Sequence, residues 1–312
     1  MSTKCNRLGL SMLLYMALLC AVACASQPIT VKQAVIAAGG WGTRFMPFSK
    51  SVPKEMVPLV DRPAIHYTVE ECVASGIEHV IFVMSDGKEP IEHYFSRGTR
   101  ADKALAQMGK SAFLQSIDDL LAAARFSFEY QDIGGIRGNG YGVWGAHKLV
   151  TNDYLAVLWP DDLLVSDEEP CLQQLIRVAQ KYDGAVLALM EVPLDEVSAY
   201  GVVRISEDLG NGVVRIGGMV EKPQPHEAPS NIISYGRFIM PHRIFDHLQH
   251  LKPGLGGELQ FTDAILKLIE EGFPVFGYRV RAKRFDLGNP AGWIKANNYL
   301  VSRDVRYAGT LN

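Results

Sequence analysis

The chain has 312 residues, with 31 Lys and Arg against 34 Asp and Glu for a formal charge of −3, and 48% hydrophobic residues. That length buries a large core, as one extended α/β domain or as a main domain with a small appendage. The near-neutral balance, with no Lys/Arg run interleaved with aromatics, excludes a field that draws nucleic acid, so any polyanion must be held by a local site.

Lys4 and Arg7 precede an uncharged, largely apolar stretch over residues 8–25 that ends in Ala23-Cys24-Ala25. Residues 1–26 therefore read as a secretory leader or short anchor, and a start codon placed too far upstream yields the same string. The first strand signal opens only at Gln33, so none of these readings makes the segment part of the fold. A cytoplasmic protein is the favoured reading. Cys5, Cys20 and Cys24 fall here; Cys72 and Cys171 have no C-x-x-C or His-rich spacing and read as buried thiols in a reducing compartment.

Residues 34–38 form an apolar run suited to a buried parallel strand, which turns abruptly into Gly39, Gly40, Trp41, Gly42, Thr43 and Arg44. Glycines there let backbone N–H groups reach an anion without a Cβ in the way. Arg44 and Lys54 add a guanidinium fork and an ammonium, a set suited to a nucleoside triphosphate. The spacing satisfies neither the Walker loop nor the dinucleotide fingerprint.

Asp61-Arg62-Pro63 reads as an N-cap and first turn, Ile65, Val69, Cys72 and Val73 share a helical face, and Gly76 closes the helix. With a strand over residues 79–84 this makes a right-handed βαβ unit. Residues 89–125 read as helical, with Leu105, Met108, Phe113, Ile117, Leu120 and Leu121 inward. A strand over 126–130 leads into a second Gly-rich run, residues 134–142, which marks either close approach of backbone to ligand or a flexible loop. The strand over 154–158 ends in Trp159-Pro160-Asp161-Asp162, two hard acids at the carboxyl end of a strand, where open α/β sheets bind ligands. An acidic turn capping the next helix is the plainer reading.

Further on the pattern predicts a helix over 169–182, a strand over 184–190, and a hairpin joining 202–205 to 213–220 through Asn211-Gly212. A strand over 232–240, helices over 241–251 and 258–270, a strand over 275–280 and a last helix beginning at residues 285–289 complete the core. The fold class is α/β: a mixed, mostly parallel sheet flanked by helices, with a small antiparallel hairpin region. The functional domain is expected over residues 32–302, with a tail over 303–312.

GGWGTR, PKEM, PDD, AYGVV, VEKP, GGELQFTDA and FDLGN occur in the order seen in bacterial UTP:glucose-1-phosphate uridylyltransferases, and VPKEMVPLVDRPAIHY is nearly the family's own string. The chain resembles that family from about residue 32 to about residue 300, which implies a Rossmann-like core of the GT-A type and formation of UDP-glucose and pyrophosphate from UTP and glucose 1-phosphate with Mg²⁺. By position the resemblance implies that Gly39 and Gly40 face base and ribose, that Arg44 and Lys54 hold the triphosphate, and that Asp161 and Asp286 hold Mg²⁺. Gly201 and Glu221 match residues that bind sugar hydroxyls, and Lys222 matches the lysine on the sugar phosphate. It also implies a homo-oligomer, dimer or tetramer.

Two departures stand out. The family's base-reading Gln falls at Ile133, with Gln131 nearby and Gly138 backbone as a substitute partner, and Tyr141-Gly142 replaces the usual His-Ala. These departures fall on the base-reading positions, and glucose-1-phosphate thymidylyltransferase is the nearest alternative. A GT-A glycosyltransferase and a non-catalytic nucleotide-sugar binding protein are more distant ones.

Overall fold

The computed structural model describes residues 28–131 and 137–310. The leader-like segment 1–26 and Ile133 lie outside the described residues. In chain order the elements are β1 (Val31–Ala37), β2 (Pro58–Leu59), β3 (Arg62–Pro63), α1 (Ala64–Ala74), β4 (His79–Met84), α2 (Glu89–Tyr94), α3 (Arg100–Gln107), α4 (Gln115–Ala123) and β5 (Arg125–Tyr130). Next come α5 (Asn139–Trp144), β6 (Tyr154–Leu158), β7 (Asp162–Val165), α6 (Cys171–Tyr182), β8 (Ala185–Glu191), β9 (Gly201–Gly210) and β10 (Val213–Glu221). The last are β11 (Ile232–Pro241), α7 (Ile244–His250), α8 (Phe261–Glu270), β12 (Val275–Arg279), β13 (Lys283–Asp286) and α9 (Pro290–Arg303).

Among the described residues the main sheet has nine strands in the order β5-β4-β1-β6-β11-β8-β12-β10-β9. β5, β4, β1 and β6 run parallel, as do β8 and β12, whereas β11 and β10 oppose their neighbours. This is the mixed, mostly parallel α/β sheet expected. Successive residues of the central strands point to opposite faces and both faces are covered, which is why these strands read as unbroken apolar runs. Ala34, Ile36 and Ala156 pack with Ile65 and Val69 of α1 and Leu172 and Leu175 of α6. Val35, Leu155 and Val157 pack on the other face with Val143 of α5, Ile244 of α7 and Ile265 of α8. A separate cluster of Phe45, Leu59, Leu163, Phe285 and Ala296 fastens the β7–β13 ladder and α9 onto the start of the chain.

The hairpin turn is as expected: Asn211 at φ 54° and Gly212 at φ 79° are both left-handed, as a type I′ turn requires. Several local readings are corrected. The 89–125 stretch is three short helices, and Met108 and Phe113 point outward, 64% and 77% exposed, because the chain breaks at Gly98 and again at Gly109 (φ 73° and 66°) and the single amphipathic face is lost. Asp61 is no helix cap: Arg62 and Pro63 pair with β2, and α1 begins at Ala64 behind Pro63. Residues 241–243 and 258–260 lie outside their helices, and residues 285–286 close β13, with Asn289 capping α9 through a 2.9 Å bond from Gly292 N–H. No helix among the described residues is long and apolar enough to cross a membrane.

Candidate active site

β1 leads to β4 on one side of the sheet and is flanked by β6 on the other, so strand order reverses between β1 and β6. At such a switch point the loops leaving two neighbouring strands diverge and open a crevice at their carboxyl ends. The loop after β1 carries residues 39–44, and the loop after β6 carries Asp161.

In the first loop Gly42 is left-handed (φ 64°), and a Cβ there would meet the Lys54 side chain at 3.0 Å. The glycine thus allows Lys54 to lie along the loop. Lys54 Nζ donates to Asp161 Oδ2 at 2.6 Å, spanning the crevice. Burial alone would lower the pKa of the Lys54 ammonium, but the Asp161 and Glu55 carboxylates outweigh it and raise it. Burial works the other way on Asp161, and Lys54 overrides it, holding that carboxyl below the usual range. Both therefore stand charged at neutral pH.

Asp286 reaches the same place from β13, whose register sets it opposite Asp162 of β7. Leu287 N–H donates to the Asp161 carbonyl at 2.7 Å, tying the two acidic segments together. Asp286 accepts from Gly288 N–H at 2.8 Å and Asn289 Nδ2 at 2.9 Å, with Arg44 Nη1 3.9 Å away. Asp161, Asp286 and Arg44 line one cavity together, so the fold brings two acids 125 positions apart to one place. Asp162 points elsewhere and is buried 2.5 Å from Arg284 Nε. Burial pushes its carboxyl up, Arg284 pulls it down, and Asp161 adds to the rise. Gly236, left-handed at φ 49°, makes room for it, since a Cβ there would fall 2.6 Å from Asp162 Cβ.

The turn bearing Asp161 is braced from below. Arg237, 1% exposed, donates to Glu71 Oε2 through Nε (3.0 Å) and Nη2 (2.8 Å), and through Nη1 to the carbonyls of Trp159 (3.1 Å) and Gly236 (3.0 Å). Glu71 Oε1 accepts Leu172 N–H at 2.9 Å, so one buried ion pair links α1, α6, β11 and the acidic turn.

Two cavities adjoin at this seam. The larger, about 720 Å³, is lined by Gly39, Gly40, Trp41, Gln131, Gly138 and Tyr141 among others. The smaller, about 300 Å³, is lined by Gly201, Glu221, Lys222, Thr262, Arg44 and Asp286 among others. Asn139, Trp159 and Asp161 belong to both. In the smaller one Glu221 Oε2 accepts from Thr262 Oγ1 at 2.6 Å, and a Cβ on Gly201 would stand 3.0 Å from that hydroxyl and 3.2 Å from the carboxylate. Lys222, left-handed at φ 45°, places Nζ 3.5 Å from Glu221 Oε1.

All ten candidate residues line one cavity or the other. Gly138 does so at φ 115°, and what demands glycine there is Leu259, whose carbonyl would lie 2.3 Å from a Cβ. Gln131, directly after β5, lines the larger cavity, where Nε2 donates to the Tyr141 carbonyl and Oε1 would lie 3.5 Å from a Cβ on Gly39. Sequence reasoning missed Thr262, Asn139, the Arg237–Glu71 pair and the buried Lys88–Glu55 pair. The string GGELQFTDA already contained Thr262 and VPKEM contained Glu55; for the buried arginine there was no local signal.

Asp161 and Asp286 are hard oxygen donors, and no group of three or more His, Cys, Asp or Glu able to hold a metal occurs among the described residues. Such a pair suits a cation that takes its remaining ligands from water and phosphate. The arrangement can hold a polyanion in the larger cavity and a hydroxyl-rich ligand in the smaller, with opposed charges where they meet.

A family model described as nucleotidyl transferase matches residues 33–303. The chain is 37% identical over 270 residues to a UTP–glucose-1-phosphate uridylyltransferase of Pseudomonas aeruginosa, covering 86% of this chain and 95% of that one. It is 40% identical over 270 residues to the protein of the same name in Mycoplasma pneumoniae, covering 86% and 92%. Among solved structures it is similar to a UDP-glucose pyrophosphorylase complexed with UDP-glucose, at a TM-score of 0.80 and 36% identity over 88% of this chain and 100% of that one.

Proposed function

The chain belongs to the nucleotidyl transferase family, among its UTP–glucose-1-phosphate uridylyltransferases, and from that membership we propose that it transfers UMP from UTP to glucose 1-phosphate, giving UDP-glucose and pyrophosphate. The observation that carries the reading is the seam itself: Lys54, Arg44, Asp161 and Asp286 stand where the two cavities meet.

The larger cavity takes UTP. Gly39 and Gly40 present backbone to base and ribose, and the Gln131 amide offers uracil a donor or acceptor. Arg44 and Lys54 face the triphosphate. The smaller cavity takes glucose 1-phosphate: Glu221 accepts from sugar hydroxyls, Gly201 leaves the ring room, and Lys222 holds the phosphate. The second pKa of a phosphate monoester is about 6, so the attacking oxygen is already anionic at neutral pH and no general base is required. That oxygen forms a bond to the α-phosphorus, the bond from α-phosphorus to the β-bridging oxygen breaks, and pyrophosphate leaves with the electron pair. The obstacle is bringing one anion to another, and Arg44, Lys54 and Lys222 neutralise the approach. Asp161 and Asp286 would hold Mg²⁺, which supplies charge neutralisation to phosphate oxygens when bound. One phosphoanhydride replaces another, so the reaction is freely reversible until pyrophosphate is removed.

The consumption of nucleoside triphosphate places the reaction in the cytoplasm, and a dimer or tetramer is the assembly expected, which sizing of the purified protein tests. Pyrophosphate release from UTP, dTTP and other triphosphates with glucose 1-phosphate tests the function. UTP should be preferred; a preference for dTTP removes the uridylyl assignment, and release of nucleoside diphosphate instead of pyrophosphate removes the reaction.

A further inference from the structure

Behind the phosphate-facing loop, residues 85–88 run from the end of β4 to the start of α2. This short segment touches both cationic stretches of the site. Ser85 Oγ donates to the Gly39 carbonyl at 2.9 Å, and Lys88 Nζ donates to Glu55 Oε2 at 2.6 Å. Ser85, Lys88 and Glu55 are 2%, 5% and 2% exposed, so these contacts are made away from water. The other Glu55 oxygen, Oε1, is buried with no hydrogen-bond partner among the described residues. Lys88 is therefore what neutralises that carboxylate. Glu55 directly follows Lys54, so the charges alternate through the wall of the crevice: Asp161, Lys54, Glu55, Lys88.

We propose that Lys88 is a positioning residue for Lys54: by neutralising Glu55 it leaves the Lys54 ammonium able to pass from Asp161 to the triphosphate of the bound nucleotide. The inference rests on the proposed reaction for the identity of that ligand. Without Lys88, a buried carboxylate with no counter-ion lies beside Lys54 and competes with the triphosphate for its charge. Burial lowers the Lys88 pKa and Glu55 opposes that fall, as expected of an ammonium kept inside by one acid.

The test is UTP binding by calorimetry in the absence of sugar phosphate, with KM and kcat for both substrates, in Lys88→Met, Glu55→Gln and the double variant. Lys88→Met should weaken UTP binding roughly tenfold or more while leaving the KM for glucose 1-phosphate within about twofold, and the double variant should recover most of the loss. If Lys88→Met does not fold, Lys88→Gln carries the same comparison, since it keeps a donor to Glu55 without the charge. A folded single variant that binds UTP normally, or that weakens both substrates alike, overturns the proposal, as does a double variant no better than the single. Binding is read without turnover, so a wild-type protein that binds UTP but releases no pyrophosphate sinks the transfer reading and leaves this comparison intact.

Discussion

The Lys54 ammonium lies 2.6 Å from Asp161 Oδ2, and the two residues arrive from opposite sides of the point where strand order reverses. In that state each satisfies the other where the proposed ligands must bind. In the proposed reaction Asp161 would serve a divalent ion and Lys54 a triphosphate, so substrate entry would exchange one ion pair for two sets of contacts.

Asp161→Asn tests that exchange. The amide is a weak ligand for a hard cation, and it also frees Lys54. Turnover should fall by at least about 10² to 10³, the loss typical of removing one preorganised electrostatic group. Nucleotide binding without Mg²⁺ should change little or strengthen, because Lys54 no longer has to leave a carboxylate. Chelation of the wild-type protein should abolish activity and added Mg²⁺ restore it. Unchanged turnover in Asp161→Asn refutes the role given to this acid.

Gly201→Ala separates the two cavities. Its methyl group would stand 3.0 Å from Thr262 Oγ1 and 3.2 Å from Glu221 Oε2, at the start of β9. Space is taken from the smaller cavity alone. The KM for glucose 1-phosphate should rise about tenfold, by about 1.4 kcal/mol, while the KM for UTP is nearly unchanged. Steady-state kinetics with each substrate varied in turn decides it, and an equal rise for both places the sugar elsewhere.

What could be read from sequence alone follows the range of the interactions. The Asn211-Gly212 turn, the apolar runs of β1, β6 and β8, and the glycine loop are local statements, and they were legible. Met108 and Phe113 were misread because periodicity was followed across Gly98 and Gly109, where the chain turns out of the helix. Gln131 was named only as the glutamine nearest Ile133, because the family's position was counted back from the glycine motif at Gly138. The bond from Arg237 to Glu71 joins residues 166 positions apart, and neither carries a pattern that names its partner. Such buried pairs are tertiary facts: each half is an ordinary charged residue until the fold brings the other to it.

His79 makes the stability of this fold depend on pH from the end of the sheet away from the crevice. It opens β4 and pairs with Gln33 of β1 and Arg125 of β5. Gln33 Oε1 accepts from Thr151 N–H (2.7 Å) and Asn152 N–H (2.9 Å), which fixes its amide so that Nε2 faces His79 Nδ1 at 3.0 Å. Arg125 Nη2 faces the same nitrogen at 2.9 Å. With two donors directed at it, Nδ1 is an acceptor, and the ring proton sits on Nε2, donating to Ser127 Oγ at 2.8 Å. Burial, with Arg125 adding to it, lowers the pKa from 6.5 to about 4. The neutral ring is thus the folded form. Its contribution is complete above pH 6.5 and is lost as pH falls from there through about 4, since the unfolded chain takes up the proton first. At 1.36 kcal/mol per unit the ceiling is about 3 kcal/mol. Urea midpoints between pH 7.5 and 4 should fall more steeply for the wild type than for His79→Gln, which has no proton to gain. Parallel curves for the two proteins remove His79 as the source.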